Sequence, residues 1–187
     1  MKLVLALGNP GAAYRDTRHN VGWWLADRLV RRWDLPPHQA SGDLASSRGR
    51  VDANEVLLAR PLRYMNRSGR VLPGLLGEHG LDPTEDLLVL VDDVALPPGS
   101  FRLRARGSSG GHNGLASVER ALESRRYARL RIGIGSPEND QIDLADWVLA
   151  PPRDDEESAV LEAMDEMSAA VECWLAEGVE SAMNRFN

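Results

Sequence analysis

Cysteine is almost missing from this 187-residue chain: Cys173 stands alone, which excludes an internal disulfide and any cluster of thiolate metal ligands. Long apolar runs are missing as well. Leu3 to Leu7 and Leu87 to Val91 hold five residues each, far below the roughly 18 that a membrane span needs. With only Lys2 ahead of it, the first run lacks the length and charge of a secretory signal. Histidine is scarce. His19, His38, His79 and His112 have neither the HExxH spacing nor the HxE with PCxxC pattern of zinc hydrolases, so neither metal nor cofactor is expected. Phosphate-cradling signatures are absent too, with no GK[ST] and no GxGxxG. The loop Gly8-Asn9-Pro10-Gly11 puts a proline where a cradle needs an amide donor.

What is present is ordinary for a soluble protein, 43% apolar and 27% charged residues. The length suits a single domain spanning 1–187 with a sizeable core, expected in a reducing cytoplasm. The net charge of −6 argues weakly against a nucleic-acid ligand, yet it is unevenly spread. Residues 151–187 carry 10 acidic against 2 basic groups, whereas Phe101 to Arg131 carry eight arginines against Glu119 and Glu123. A local excess of that kind is what phosphates read; the alternative for such a run is a solvated face. Nearly all the positive charge is arginine, Lys2 being the only lysine.

Periodicity predicts an α/β fold with a mixed central sheet flanked by helices on both sides. Lys2 to Leu7 reads as a buried strand stopped by the Gly-Pro loop. Trp23 to Trp33 reads as a helix with Asn20 as its N-terminal cap. Short strands are expected near 44–47 and 55–59, followed by a helix over 67–79 that Pro73 starts or bends. Leu87 to Val91, aliphatic throughout and flanked by acids, is the candidate for a central strand buried on both faces. Phe101 to Arg106 alternates apolar and basic residues. Asn113 to Leu122 reads as a helix, Leu130 to Ile134 as a strand, and Asp155 to Ala176 as a long closing helix.

Chemistry at loop tips is the next question. Gly107-Ser108-Ser109-Gly110-Gly111 matches GxSxG, but the only later histidine, His112, lies three residues on, and a flexible loop accounts for the pattern better than a serine nucleophile. What remains is a polar set at predicted loop tips: Asn9, His19, Asn66, Asp92 and Asn113. A histidine oriented by a carboxylate can serve as general base on water, and fixed carboxamides can hold that water and polarise a carbonyl.

These residues sit in stretches that closely resemble the bacterial peptidyl-tRNA hydrolase family. They are Leu7-Gly8-Asn9-Pro10-Gly11 with Tyr14, Thr17-Arg18-His19-Asn20-Val21-Gly22, Tyr64-Met65-Asn66-Arg67-Ser68-Gly69, and Asp92-Asp93 before Leu96-Pro97-Pro98-Gly99. Gly110-Gly111-His112-Asn113-Gly114-Leu115 and Leu130-Arg131-Ile132-Gly133-Ile134-Gly135 follow in the same order. The resemblance implies a monomeric α/β enzyme that cleaves the ester joining a peptide to the 3′ ribose of tRNA, without metal or covalent nucleophile. It implies His19 as base, Asp92 rather than Asp93 as its orienter, and Asn9, Asn66 and Asn113 as carboxamides of the site. Substrate contacts are implied for Tyr14, Tyr64, Met65, Asn66, His112 and Asn113, and tRNA contacts for Arg102, Arg104 and Arg131. Trp23 and Trp24 are bulkier than the family pattern, with Trp23 expected to narrow or re-floor the peptide cleft. A non-catalytic RNA-binding protein on the same scaffold is the alternative, disfavoured because it would need no His19, Asp92 and three asparagines together.

Overall fold

The computed structural model describes residues 1–139 and 141–187. Strands β1 (Lys2–Ala6), β2 (Gln39–Ser41), β3 (Leu44–Val51), β4 (Asn54–Pro61), β5 (Leu87–Asp93), β6 (Phe101–Arg104) and β7 (Ala128–Gly133) form one sheet in the order β2-β3-β4-β1-β5-β7-β6. The four central strands β4, β1, β5 and β7 run parallel, while β2, β3 and β6 pair antiparallel at the two margins. The helices are α1 (Val21–Arg32), α2 (Leu72–His79), α3 (Pro83–Asp86), α4 (Asn113–Leu122), α5 (Leu144–Leu149), α6 (Asp154–Glu177) and α7 (Val179–Phe186).

Burial on both faces explains the uninterrupted aliphatic strands. Val4, Leu58, Leu88 and Leu90 point toward α1, α6 and α7, while Leu3, Leu5, Leu57, Val89 and Val91 meet α2, α4 and the 3-10 segment Met65–Val71. β5 is buried along its whole length, as its run of five aliphatics implies. The mixed sheet between two helical layers is the expected architecture.

Several expected boundaries move. The helix predicted over 67–79 splits into the 3-10 segment and α2, because Pro73 stands in the first turn, where its missing N–H costs nothing. The strands at 44–47 and 55–59 extend into a longer hairpin, and the one predicted over 101–106 ends at Arg104. Asn20 does not cap α1 through its side chain. β2, α3, α5 and α7 are additional to the sequence reading.

Candidate active site

All four parallel strands deliver their carboxyl ends to one edge of the sheet. The chain leaves β1 toward β4 on one side, while β5 leads toward β7 on the other. Strand order therefore reverses between β1 and β5, which opens a crevice at their carboxyl ends. Asn9 and His19 come from the segment after β1, Asp92 ends β5, and Met65 and Asn66 follow β4. Gly22 lets α1 begin directly over this edge: a Cβ there would stand 2.8 Å from Leu7 O and 2.9 Å from Leu90 O. The short 3-10 turn Arg18–Asn20 before α1 is thereby held against the end of β5.

His19 Nδ1 lies 2.9 Å from both oxygens of Asp92, and the two residues are 7% and 4% exposed. His112 Nε2 lies 2.8 Å from Asp92 Oδ1, so one carboxylate serves two histidines. Burial alone would raise the Asp92 pKa, but the two imidazoles aimed at it outweigh burial and hold the carboxyl well below the ordinary range. Asp92 is thus an ionised acceptor, which favours the His19 tautomer with its proton on Nδ1 and its lone pair on Nε2.

The tautomer of His112 follows from its other nitrogen. His112 caps α4, its Nδ1 accepting from the amides of Gly114 and Leu115 at 3.1 and 3.2 Å. An atom that accepts two N–H bonds carries no proton, so Nε2 carries it and donates to Asp92. His19, Asp92 and His112 have three ligand atoms within 4.8 Å of one another, the spacing of a metal site. The protonated Nε2 cannot ligate without breaking the helix cap, however, so these donors suit a hydrogen-bonded relay and not a metal.

The carboxamides are arranged around this dyad. Asn9 Oδ1 accepts from Met65 N at 2.8 Å, which orients its amide N–H₂ group away from that bond. Asn20, 1% exposed, brackets the Asn9 backbone, accepting from its N–H at 2.8 Å and donating to its carbonyl at 3.0 Å. Two cavities meet here. One of about 170 Å³ is lined by His19, Asp92, the Ser109–Asn113 stretch, Arg131 and α5. The other, of about 250 Å³, is lined by Asn9, Tyr14, His19, Tyr64, Met65, Asn66 and Asn113, again with α5. His19 and Asn113 belong to both. Tyr14 and Tyr64 meet edge to face with ring centroids 6.3 Å apart.

α5 buries none of its own residues, yet it walls both cavities through Ala145 and Val148. Arg18, beside His19, clips it down. The guanidinium lies 3.5 Å from the Trp147 ring centroid. Its Nη1 donates to the carbonyls of Trp147, Ala150 and Pro151, and its Nη2 to Glu156 Oε2 at 2.7 Å. Neither α5 nor the role of Arg18 was anticipated. The legible signals were Asp143, whose side chain accepts from Ala145 N, and the stop at Pro151-Pro152.

The arginines divide. By strand register, Arg102 and Arg104 on β6 share a face with Arg131 and Arg129 on β7. Arg102 is exposed and Arg104 partly so, whereas Arg131 lines the smaller cavity with its Nε 2.9 Å from Asp93 Oδ2. Arg129 is 1% exposed. It belongs to the interior and not to a phosphate-reading surface, donating to the carbonyls of Gly107, Ser108 and Arg125 and stacking over Tyr127.

Two other expectations are resolved. Ser109 lines the cavity, but both nitrogens of the neighbouring His112 are committed, so that histidine cannot serve it as base. Trp23 does not narrow the cleft: its Nε1 donates to Ala6 O at 3.0 Å, and its ring packs with the core on the α1 and α6 face.

Comparison with known proteins places this geometry. The sequence profile of the peptidyl-tRNA hydrolase family matches residues 3–187. A peptidyl-tRNA hydrolase of Gemmatimonas aurantiaca is 50% identical over 186 residues, covering 98% of each chain. One from Symbiobacterium thermophilum is 45% identical, covering 100% of this chain and 98% of its own. The crystal structure of peptidyl-tRNA hydrolase from Acinetobacter baumannii superposes with a TM-score of 0.92 at 32% identity, over 100% of this chain and 94% of that one. Similarity that runs from the first strand to the last helix, through every loop that builds the crevice, makes this chain a member of the peptidyl-tRNA hydrolase family.

Proposed function

We propose that this chain cleaves the ester between a peptide and the 3′ ribose of tRNA with water activated at His19. Nε2 of His19, its ring held by Asp92, takes a proton as the water oxygen attacks the ester carbonyl. The carbonyl oxygen gains the negative charge, and the carboxamides of Asn113, Asn66 and Asn9 supply N–H donors toward it. Collapse of the tetrahedral intermediate breaks the bond to the ribose oxygen, which leaves with the proton held on His19. The products are a free peptide carboxyl group and tRNA with its 3′ hydroxyl. Tyr14, Tyr64, Met65 and His112 contact the substrate or shape its cavity, and Arg102, Arg104 and Arg131 meet the acceptor-end phosphates.

The observation that carries this reading is the buried His19–Asp92 pair at the junction of two open cavities. We assign a monomer acting as one domain. Among the described residues, the large exposed apolar side chains are Tyr64, Leu144, Leu149 and Ile142, at or beside the cleft, and Leu161 on α6, which supports that reading. No described helix is long and apolar enough to cross a membrane, and a tRNA substrate assigns the chain to the cytoplasm. The test is peptide release from an N-blocked aminoacyl-tRNA by the purified protein, with and without EDTA. Release in both is expected. A protein that binds the substrate and leaves the ester intact would overturn the reading, and loss of activity in EDTA restored by zinc would overturn the metal-free mechanism.

A further inference from the structure

We propose that His112 is a positioning residue for the base. By donating from Nε2 to Asp92 Oδ1, it fixes the carboxylate and takes up part of its negative charge. It thereby sets the pH below which His19 stops accepting a proton from water. The proposal rests on reading His19 as that base.

Two observations carry it. The first is the shared acceptor: Asp92 Oδ1 is 2.9 Å from His19 Nδ1 and 2.8 Å from His112 Nε2, with the two rings 5.0 Å apart. A carboxylate interacting with one histidine alone would concentrate its charge there and favour the imidazolium, which is no base. A second donor draws charge away and weakens that preference. The second is the cap. Protonating His112 would place an N–H against the amides of Gly114 and Leu115, at the positive end of a helix. The cap therefore places His112 as a donor to Asp92 through Nε2.

Other charges near the dyad are already committed. Asp93 on β5 pairs with Arg131 on β7, and Arg18 points away to Glu156 at the start of α6. α5 presents Leu144, Ala145 and Val148 to the cavity, not Asp143 or Asp146. His112 is thus the remaining group in contact with Asp92 that can tune the pair.

The test separates this role from helix capping. Asparagine is a good N-cap, but its side chain ends short of the imidazole Nε2 position. His112→Asn should keep the fold and α4 while losing the donor to Asp92; its smaller side chain also changes the cavity wall, which moves KM and not the pH midpoint. Single-turnover hydrolysis against pH is expected to show the acid midpoint raised by about half a unit to one unit, the alkaline plateau falling less than tenfold. An unmoved or lowered midpoint in the folded variant would overturn the proposal. His19→Ala, run in parallel, distinguishes the two failures. Full activity there removes His19 as base, whereas an inactive His19→Ala with an unmoved His112→Asn midpoint removes only the role of His112. Should the variant not fold, nitrogen-15 NMR of the unaltered protein decides. His112 should remain the neutral Nε2–H tautomer throughout the pH range where activity rises, and titration of His112 in that range refutes the idea.

Discussion

Replacing Asp92 with asparagine perturbs the pair with almost no change of shape, so its effect can be worked from geometry. His112 is locked as an Nε2–H donor, so an asparagine at 92 must turn its oxygen to the Oδ1 position, where it still accepts. The N–H₂ group then occupies the Oδ2 position, 2.9 Å from His19 Nδ1. That nitrogen meets an acceptor and a donor at equal distance. Keeping its proton on Nδ1, His19 stays a weaker base beside an opposing N–H. Moving the proton to Nε2 satisfies the new amide and places an N–H where the base lone pair was. Either outcome lowers the rate, the second more severely, and the ionised partner that stabilised the developing imidazolium is gone in both.

The expected loss for Asp92→Asn is therefore about 10² to 10⁴-fold, no greater than for His19→Ala, which removes the proton acceptor itself. Asp93→Asn is the internal control. Asp93 pairs with Arg131 and accepts from Ala95 N at 3.0 Å, without contact to His19, so the rate at saturating substrate should change little while tRNA affinity weakens. Single-turnover hydrolysis of a peptidyl-tRNA, with circular dichroism to confirm folding, compares the three. His19→Ala with more than about a tenth of the original rate, or Asp93→Asn as the crippled acid variant, refutes the assignment of roles.

Arg18→Lys keeps a charge for buried Glu156 but loses the carbonyl fork and the stack on Trp147, so hydrogen exchange over 144–149 should quicken and KM rise several-fold; unchanged exchange would mean α5 is held otherwise. Ser109→Ala should hydrolyse within a few-fold of the original, and an acyl adduct trapped on Ser109 would reverse the mechanism. Arg102→Ala and Arg104→Ala should each reduce the log–log salt slope of tRNA binding by about one, against an unchanged slope if that edge is only solvated. Burial, helped by Arg60 and opposed by Asp27, pushes half-buried His38 down to about 4, below its unfolded value. Stability should then fall as pH drops from about 6.5 to about 4. With solvent screening the loss is on the order of 1 kcal/mol; urea titrations at about pH 7 and about pH 5 should show it, and His38→Gln should remove it.

Legibility in the sequence followed how local each cause was. The run Leu87 to Val91 needs only burial on both faces to be read as a central strand, and α4 has the bounds its periodicity predicts. Asn9, His19, Asn66 and Asp92 are brought to one edge because a parallel sheet sends its carboxyl ends one way, whereas Asn113 reaches that edge on the segment that leads from antiparallel β6 into α4. Asn20 takes the N-cap position expected of it, but its side chain makes no cap bond. Its actual partner, the backbone of Asn9, becomes adjacent only when the chain folds back over β1. Arg129 and Arg131 look equivalent in sequence, two apart on one strand. Arg129 lies opposite Val89 in mid-sheet and Arg131 opposite Val91 near the rim, and that step of two residues separates an interior strut from a cavity wall.

The same placement removes the apparent conflict between an acidic protein and a polyanionic substrate. α6, which carries most of the acidic excess, packs on the face holding Val4, Leu88 and Leu90. Part of its charge is taken up by α1, where Arg28 pairs with Asp165 and Arg32 with Glu172. Arg102, Arg104 and Arg131 lie on the opposite face, with the sheet between. The acidic groups of α6 and a phosphate near β6 both face solvent, and solvent-exposed charges farther apart than the Debye length of about 8 Å at physiological ionic strength are largely screened. A phosphate near β6 therefore responds to the arginines within that distance and scarcely to α6. A tRNA approaching from the α6 side meets repulsion at close range, and one approaching from β6 meets attraction beside the cavity that holds His19. Net charge sums two surfaces that a ligand never samples together, so the local sign at the edge of the sheet is the quantity that governs encounter.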